Sequence, residues 1–201
     1  MKLYYAAQTR ATRPRWLLEE LGVPYTLARL DMSKKEHKSP GYLHIHPHGQ
    51  VPAFTDGEVT LFESAAICAY LADKFPEKDM APAIGTPERG LYYQWLFYSM
   101  ATLEPPIVQV ILHTVMLPDA QRSATQAEEG RKNFVQVAQV LEKALSGKQF
   151  IVGNRFSVAD IMIGSTLGWA QMLGMLASHP VLEAYVASLG ARPAFQRAHA
   201  D

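Results

Sequence analysis

The apolar and polar positions of residues 1–75 fall into short runs whose period changes several times. Lys2–Tyr5 reads as a strand. Arg10–Leu21 has helical spacing, with Pro14 tolerable only in the first turn and Gly22 as the stop. Tyr25–Leu30 is a second strand, and the stretch from Asp31 to His48 is polar and irregular. Pro52 then opens a short apolar strand. Asp56-Gly57 makes a two-residue turn, and Glu58–Leu61 returns. Glu63–Lys74 is a helix with Ala66, Ile67, Tyr70 and Leu71 on its apolar face. The order is βαβ followed by ββα.

The pattern changes at Phe75-Pro76. Residues 76–87 carry several prolines and a glycine and read as a linker. From 88 to 201 every segment is helical. Glu88–Leu117 is long and apolar, with Pro105-Pro106 expected to kink or interrupt it. Gln121–Leu145 is amphipathic, with Phe134, Val137, Ala138 and Leu141 on one face. Ser157–Leu176 is almost wholly apolar, hence buried. Pro180–Leu189 and Pro193–Ala200 close the chain. Ser157 and Asp160 have the spacing of a capping box, a folding device with Phe156 placed to staple onto Ile161. The expected class is therefore an α/β domain, 1–75, a linker and an all-α domain, 88–201.

Composition narrows the partners. Nineteen basic and nineteen acidic residues cancel, which points to neither nucleic acid nor a membrane surface. The single cysteine, Cys68, forms no internal disulfide, which suits a reducing cytosol. It falls mid-helix, where a small core residue is expected. The first ten residues turn polar too soon for a secretion signal, and no apolar run approaches the ~20 residues of a membrane span. His44, His46 and His48 share one face if the segment is extended, but no cysteine or carboxylate pattern completes a metal site, so no metal is expected.

The sharpest chemistry lies at Gly49-Gln50-Val51-Pro52-Ala53-Phe54 and at Glu63-Ser64-Ala65-Ala66-Ile67. A proline at the first residue of a strand sacrifices no ladder bond. If Val51–Pro52 is cis, the N–H and C=O of Val51 turn outward as a one-residue sheet edge for a peptide-like ligand. Glu63 and Ser64 stand at a helix N-terminus, where unpaired N–H groups and the helix dipole favour a carboxylate. Such a pair suits a small, extended, acidic peptide, of which glutathione is one.

These two motifs resemble the glutathione transferases, whose thioredoxin-like signature stands here as Val51-Pro52-Ala53-Phe54 and Glu63-Ser64-Ala65-Ala66-Ile67. Gly153-Asn154-Arg155-Phe156-Ser157-Val158-Ala159-Asp160 is similar to the capping motif of that family's helical domain, so the resemblance spans essentially the whole chain. It implies a thioredoxin-like first domain, an all-helical second domain and a cytosolic homodimer. Glutathione is then a co-substrate, with a hydrophobic electrophile as second substrate. The theta- and zeta-like branches, which use a serine hydroxyl, are the members it suggests.

The resemblance also assigns residues. The thiolate-stabilising donor belongs in the loop after the first strand, Ala6–Arg13, where the family uses Tyr, Ser or Cys. Here Ala7 stands about where tyrosine-type members have their phenol, and Thr9 stands at the serine position. Thr12, Gln8 and the backbone N–H of Arg10 are alternatives, and a plain helix cap is the bland reading of Thr9. Arg10 adds positive potential, whereas Arg13 reads as a solvated helix face. Ser64 receives the γ-glutamyl carboxylate and Glu63 the ammonium. Gln50, Val51 and Pro52 bracket the cysteinyl part, and His37 meets the glycyl carboxylate. Glu104 reaches glutathione as in zeta-like members. Tyr92, Trp95, Leu96, Ser99, Met100, Leu103, His113 and Trp169 are candidates for the second-substrate pocket, against the ordinary reading of core.

The reading is a transferase in which bound glutathione attacks an electrophilic carbon, with peroxide reduction as a variant. Two alternatives remain open. One is a non-catalytic module binding glutathione or a protein. The other is a glutathione-dependent isomerase, whose loop motif is missing here. The absence of any Cys-x-x-Cys argues against a glutaredoxin-type oxidoreductase.

Overall fold

A computed structural model describes residues 1–200. It divides into two compact units. The first comprises Met1–Ala81 together with the chain from Ala191 onward, and the second is Pro82–Gly190.

The first unit is built on a four-stranded sheet in the order β2-β1-β3-β4. Its strands are β1 (Lys2–Tyr5), β2 (Thr26–Arg29), β3 (Ala53–Asp56) and β4 (Val59–Phe62). Its helices are α1 (Thr12–Leu21), the single turn α2 (Pro40–Leu43) and α3 (Ser64–Lys74). β1 and β2 run parallel; β1 with β3 and β3 with β4 run antiparallel. Asp56 pairs with Val59, so the two-residue turn is Gly57-Glu58, one position later than the Asp-Gly signal placed it. Gly57 takes the left-handed conformation, φ +58°, that the turn requires. Leu3, Tyr5, Ala53 and Phe54 from the sheet are buried with Trp16, Leu17, Leu18 and Leu21 of α1 and Ile67, Cys68 and Leu71 of α3.

The C-terminal helix, α9 (Pro193–Ala198), packs on α1 rather than within the helical unit, where the sequence pattern placed it. Trp16 is fully buried with its ring edge-on to Phe195, centroids 4.9 Å apart. Arg192 grips Glu20 with two bonds of 2.6 and 2.9 Å. Arg197 donates to the Glu19 carboxylate at 2.7 Å, and Arg15 donates to the Arg197 carbonyl at 3.2 Å. Apolar burial and charge pairing thus act at the same seam.

The second unit holds α4 (Pro87–Tyr98), α5 (Glu104–Ile111), α6 (Ala124–Leu145), α7 (Val158–Met172) and α8 (Pro180–Gly190). The long apolar segment is not broken at Pro105-Pro106. Instead the helix widens just before them, over Ser99–Leu103, where the Glu104 N–H bonds to the Ser99 carbonyl five residues back. A second wide turn, Leu112–Met116, closes with Leu117 N–H on the Leu112 carbonyl at 3.0 Å. Wide turns of this kind absorb the missing donor and ring bulk of the prolines. Gly130 of α6 lies against the Pro106 carbonyl, where a Cβ would be 2.8 Å away, so the two helices approach closely.

Ser157 and Asp160 form the expected capping box at the start of α7. Asp160 does more than cap. One oxygen accepts from the Ser157 N–H at 2.9 Å. The other accepts from the Ile151 N–H at 2.9 Å and the Tyr185 hydroxyl at 2.7 Å. Phe156 packs edge-on to Phe150. Asp160→Ala leaves all three donors buried without an acceptor. The expected loss is about 3 kcal/mol or more, read as a lower urea midpoint with an unchanged slope.

Candidate functional site

Three chain connections meet at one end of the sheet. β1 and β4 run the same way, each antiparallel to β3 between them. The end of β1, the start of β3 and the end of β4 therefore share an edge. At that edge stand the loop into α1, the turn ahead of Pro52 and the entry to α3. Ala53 pairs with Phe62 as the last rung, so Pro52 and Glu63 each lie one residue beyond it.

The Val51–Pro52 peptide is cis. Among the described residues the N–H and C=O of Val51 bond to no other group, because the ladder begins with Tyr4 opposite Ala53. The turn before it is held from the segment 36–43. Gly49, φ +55°, abuts the His37 carbonyl, which would lie 2.5 Å from a Cβ at that position. Lys38 Nζ donates to the His48 carbonyl at 2.8 Å, and the Tyr42 hydroxyl donates to the Gln50 carbonyl at 2.5 Å. Lys38 and Tyr42 were not singled out by sequence. The only hint of the contact was the Tyr42 spacing ahead of Gly49.

The histidines do not share a strand face, because the segment is a helical turn followed by a loop. His44 closes α2, with Nδ1 2.7 Å from the Pro40 carbonyl. His46 is buried against Phe62, centroids 4.9 Å apart, while His48 is exposed. Burial, with a contribution from His48, lowers the His46 pKa and favours its neutral ring. No cluster of metal-ligating side chains occurs among the described residues. His37 lies half-buried in the tight turn Glu36–Lys38.

At the α3 end, Glu63 adopts φ 74°, a conformation that costs a non-glycine residue on the order of 1–3 kcal/mol. That kink turns the chain from β4 into α3, leaving Glu63 exposed and Ser64 in the first turn at 2% exposure. Ser64 Oγ accepts from the Arg13 guanidinium at 3.2 Å. Arg13 is fully buried, not the solvated helix residue its charge suggested. The available signal was spacing: Arg13 falls on the stripe of Leu17 and Leu21, the buried face of α1. A hydroxyl that accepts from a cation keeps its own proton to donate. The buried positive charge and the α3 N-terminus thus both favour an anion in front of Ser64. Behind it, burial pushes the Cys68 thiol up to about 12, against a smaller lowering by Arg13, so Cys68 is an inert core residue.

In the remaining loop, Gln8 is exposed with φ 57°. The Thr9 hydroxyl donates to the Ala6 carbonyl at 2.7 Å and accepts from the Ala11 N–H at 3.2 Å. Thr12, buried, donates its hydroxyl to the Thr9 carbonyl at 2.9 Å. Each hydroxyl proton is thus used locally. Thr9 ties the loop ahead of α1 together in this arrangement, and any further acceptor must compete with the Ala6 carbonyl for its proton. Arg10 is half-exposed in the same loop.

The other candidates belong to the second unit. Glu104 is buried and opens α5. Tyr92, Trp95, Leu96, Ser99 and Leu103 are buried in that unit's core, where Ser99 Oγ lies 3.2 Å from Thr166 Oγ1. Met100, His113 and Trp169 remain half-exposed.

Comparison with known proteins agrees with this architecture. Residues 1–73 match the glutathione S-transferase N-terminal domain and 103–193 the C-terminal domain. The probable glutathione S-transferase GSTF2 of Oryza sativa subsp. japonica is 31% identical over 204 residues, covering 98% of this chain and 94% of that protein. Glutathione S-transferase 3 of Zea mays is 30% identical, covering 98% and 92%. A solved sphingomonad glutathione S-transferase, complexed with glutathione, superposes with a TM-score of 0.87 at 28% identity, covering 100% of this chain and 98% of that one. The bacterial transferase BphK gives 0.88 at 30% identity, with the same coverage. The curated relatives include several plant glutathione S-transferases, and the solved structures include a bacterial beta-class one. With both domain models matched and full-length relatives above 30% identity, this chain belongs to the glutathione S-transferase family.

Proposed function

We propose that this transferase joins the thiolate of glutathione to hydrophobic electrophiles. The observation that carries the reading is the shared sheet end. The unpaired Val51 backbone and the Ser64–Arg13 anion site each lie two residues beyond the Ala53–Phe62 rung at that sheet end, an arrangement suited to an extended peptide with a terminal carboxylate. Val51 and Gln50 hold the cysteinyl part, Ser64 the γ-glutamyl carboxylate, and Glu63 its ammonium. His37 is assigned to the glycyl carboxylate, and Glu104 to a further contact with the peptide.

In the reaction the thiol loses its proton to solvent. The sulfur lone pair forms a C–S bond as the leaving group departs with its electron pair. A free thiol, pKa near ~8.5, is only a few per cent ionised at neutral pH. Lowering that pKa by about two units stabilises the anion by roughly 2.7 kcal/mol. Thr9, Arg10 and the α1 N-terminus are the groups available for this, with Thr9 releasing the Ala6 carbonyl to donate to sulfur. Peroxide reduction uses the same thiolate. Exposed Leu91, Tyr93 and Phe97 on α4 support a homodimer. No helix among the described residues is long and apolar enough to cross a membrane. A detoxifying role in the cytoplasm fits this chemistry.

One observation favours a second reading. Because the Thr9 proton is already engaged, a module that binds glutathione without turning it over is consistent with the same geometry. Retention on glutathione-agarose with no turnover of a generic aryl halide would select that reading. Retention with turnover selects the transferase.

Three outcomes are expected. Ser64→Ala removes a charge-assisted hydrogen bond worth roughly 1.5–3 kcal/mol. Glutathione affinity by calorimetry should fall about tenfold or more, and the melting temperature should fall with it because the buried Arg13 loses an acceptor; wild-type affinity would remove Ser64 from the site. Thr9→Ala should raise the pKa of bound glutathione, followed by thiolate ultraviolet absorbance against pH, and cut turnover more than binding. Thr9→Ser should preserve both, and an unmoved titration in Thr9→Ala would leave Thr9 a cap. Finally, sedimentation at micromolar protein should give twice the chain mass.

A further inference from the structure

The turn ahead of β3 is gripped at three points, and one of them differs in kind. The contacts of Lys38 with the His48 carbonyl and of Gly49 with the His37 carbonyl hold the loop in place. The Tyr42 hydroxyl, 2.5 Å from the Gln50 carbonyl, holds a particular peptide plane. A peptide unit is planar, and in the trans form its C=O and N–H point in opposite directions. The Gln50–Val51 unit is trans, the cis bond being the next one along. Whatever fixes the Gln50 carbonyl therefore fixes the Val51 N–H.

No other hydrogen bond holds that plane among the described residues. The Val51 N–H and C=O bond to no other group among the described residues, and strand pairing begins only at Ala53. Tyr42, by contrast, is itself well held. It is buried, its ring edge-on to Tyr4 at 5.5 Å and stacked on His46 at 6.4 Å. Its backbone carbonyl accepts from the N–H groups of Ile45 and His46 at 2.8 and 2.9 Å. Burial also raises its pKa, so it is a neutral phenol with a proton to give.

We infer that Tyr42 is a positioning residue for the ligand: by holding the Gln50 carbonyl it aims the Val51 N–H at the cysteinyl carbonyl of bound glutathione. This rests on the glutathione reading above. Tyr42 touches no reacting atom. Its effect is to supply the clamp already oriented, so that binding does not have to order it.

The test is a calorimetric cycle between protein and ligand. One ligand is glutathione. The other is an isostere whose cysteinyl–glycine amide is replaced by a trans-alkene, which keeps the shape and accepts no hydrogen bond. Wild-type protein should bind the isostere about tenfold more weakly than glutathione. Tyr42→Phe keeps the ring and removes only the donor. It should weaken glutathione about fivefold while barely changing the isostere, so the gap between the two ligands shrinks to about twofold. Equal weakening of both ligands would make Tyr42 a packing residue and overturn the inference, as would unchanged glutathione affinity. Should Tyr42→Phe not fold, Tyr42→Met carries the same cycle with the same criteria. Failure of the wild type to bind glutathione at all would instead sink the functional reading, a separate outcome.

Discussion

A fully buried arginine needs acceptors, because a charge withdrawn from water without them costs several kcal/mol. Arg13 therefore constrains everything around it. It sits in the first turn of α1 and bonds to Ser64 in the first turn of α3, so two helices that leave the same sheet end are tied at their N-termini. Helix N-termini repel one another electrostatically and attract anions. Placing a cation between them adds to the positive potential there and favours a negative group in front of it. The strained Glu63 backbone belongs to the same constraint, since it is the kink that points α3 back at Arg13.

The Val51 clamp has the opposite character. Its polar atoms are left unpaired while the surrounding loop is tied down by Tyr42, Lys38 and the close packing at Gly49. In the proposed site, anion end and clamp are donors held by the surrounding bonds, and donors held in place lose little ordering entropy on binding. The Thr9 loop contrasts with both. Its hydroxyls are satisfied within the loop, so it is the part of the site that has to rearrange.

Much of this was legible in the sequence. Short apolar runs and turn residues marked the strands, and the proline and the Glu63-Ser64 pair marked the sheet end proposed as the site. The hairpin was offset by one residue, because Asp-Gly marks a turn without fixing which residue completes the last rung. Pro105-Pro106 signalled a disturbance but not its form, since a widened turn depends on the packing of α5 against α6, which no local pattern records. Arg13 was misjudged because charge was weighed above spacing. The engagement of the Thr9 hydroxyl with Ala6 was likewise invisible, as it depends on the path of the loop rather than on residue type. Tyr42 carried no motif of its own.

The return of α9 to the first unit separates order in sequence from order of assembly. Phe195 covers Trp16, and Arg192 and Arg197 meet Glu20 and Glu19, yet these partners follow the whole helical unit in the chain. The strands and α1 emerge from the ribosome before the helical unit. They must then wait, with one flank of α1 bare, while the whole helical unit is synthesised. The first unit is therefore completed only after the second has been made, and a nascent chain stalled before Ala191 lacks the Phe195 cover over Trp16 and leaves it open to a chaperone or protease.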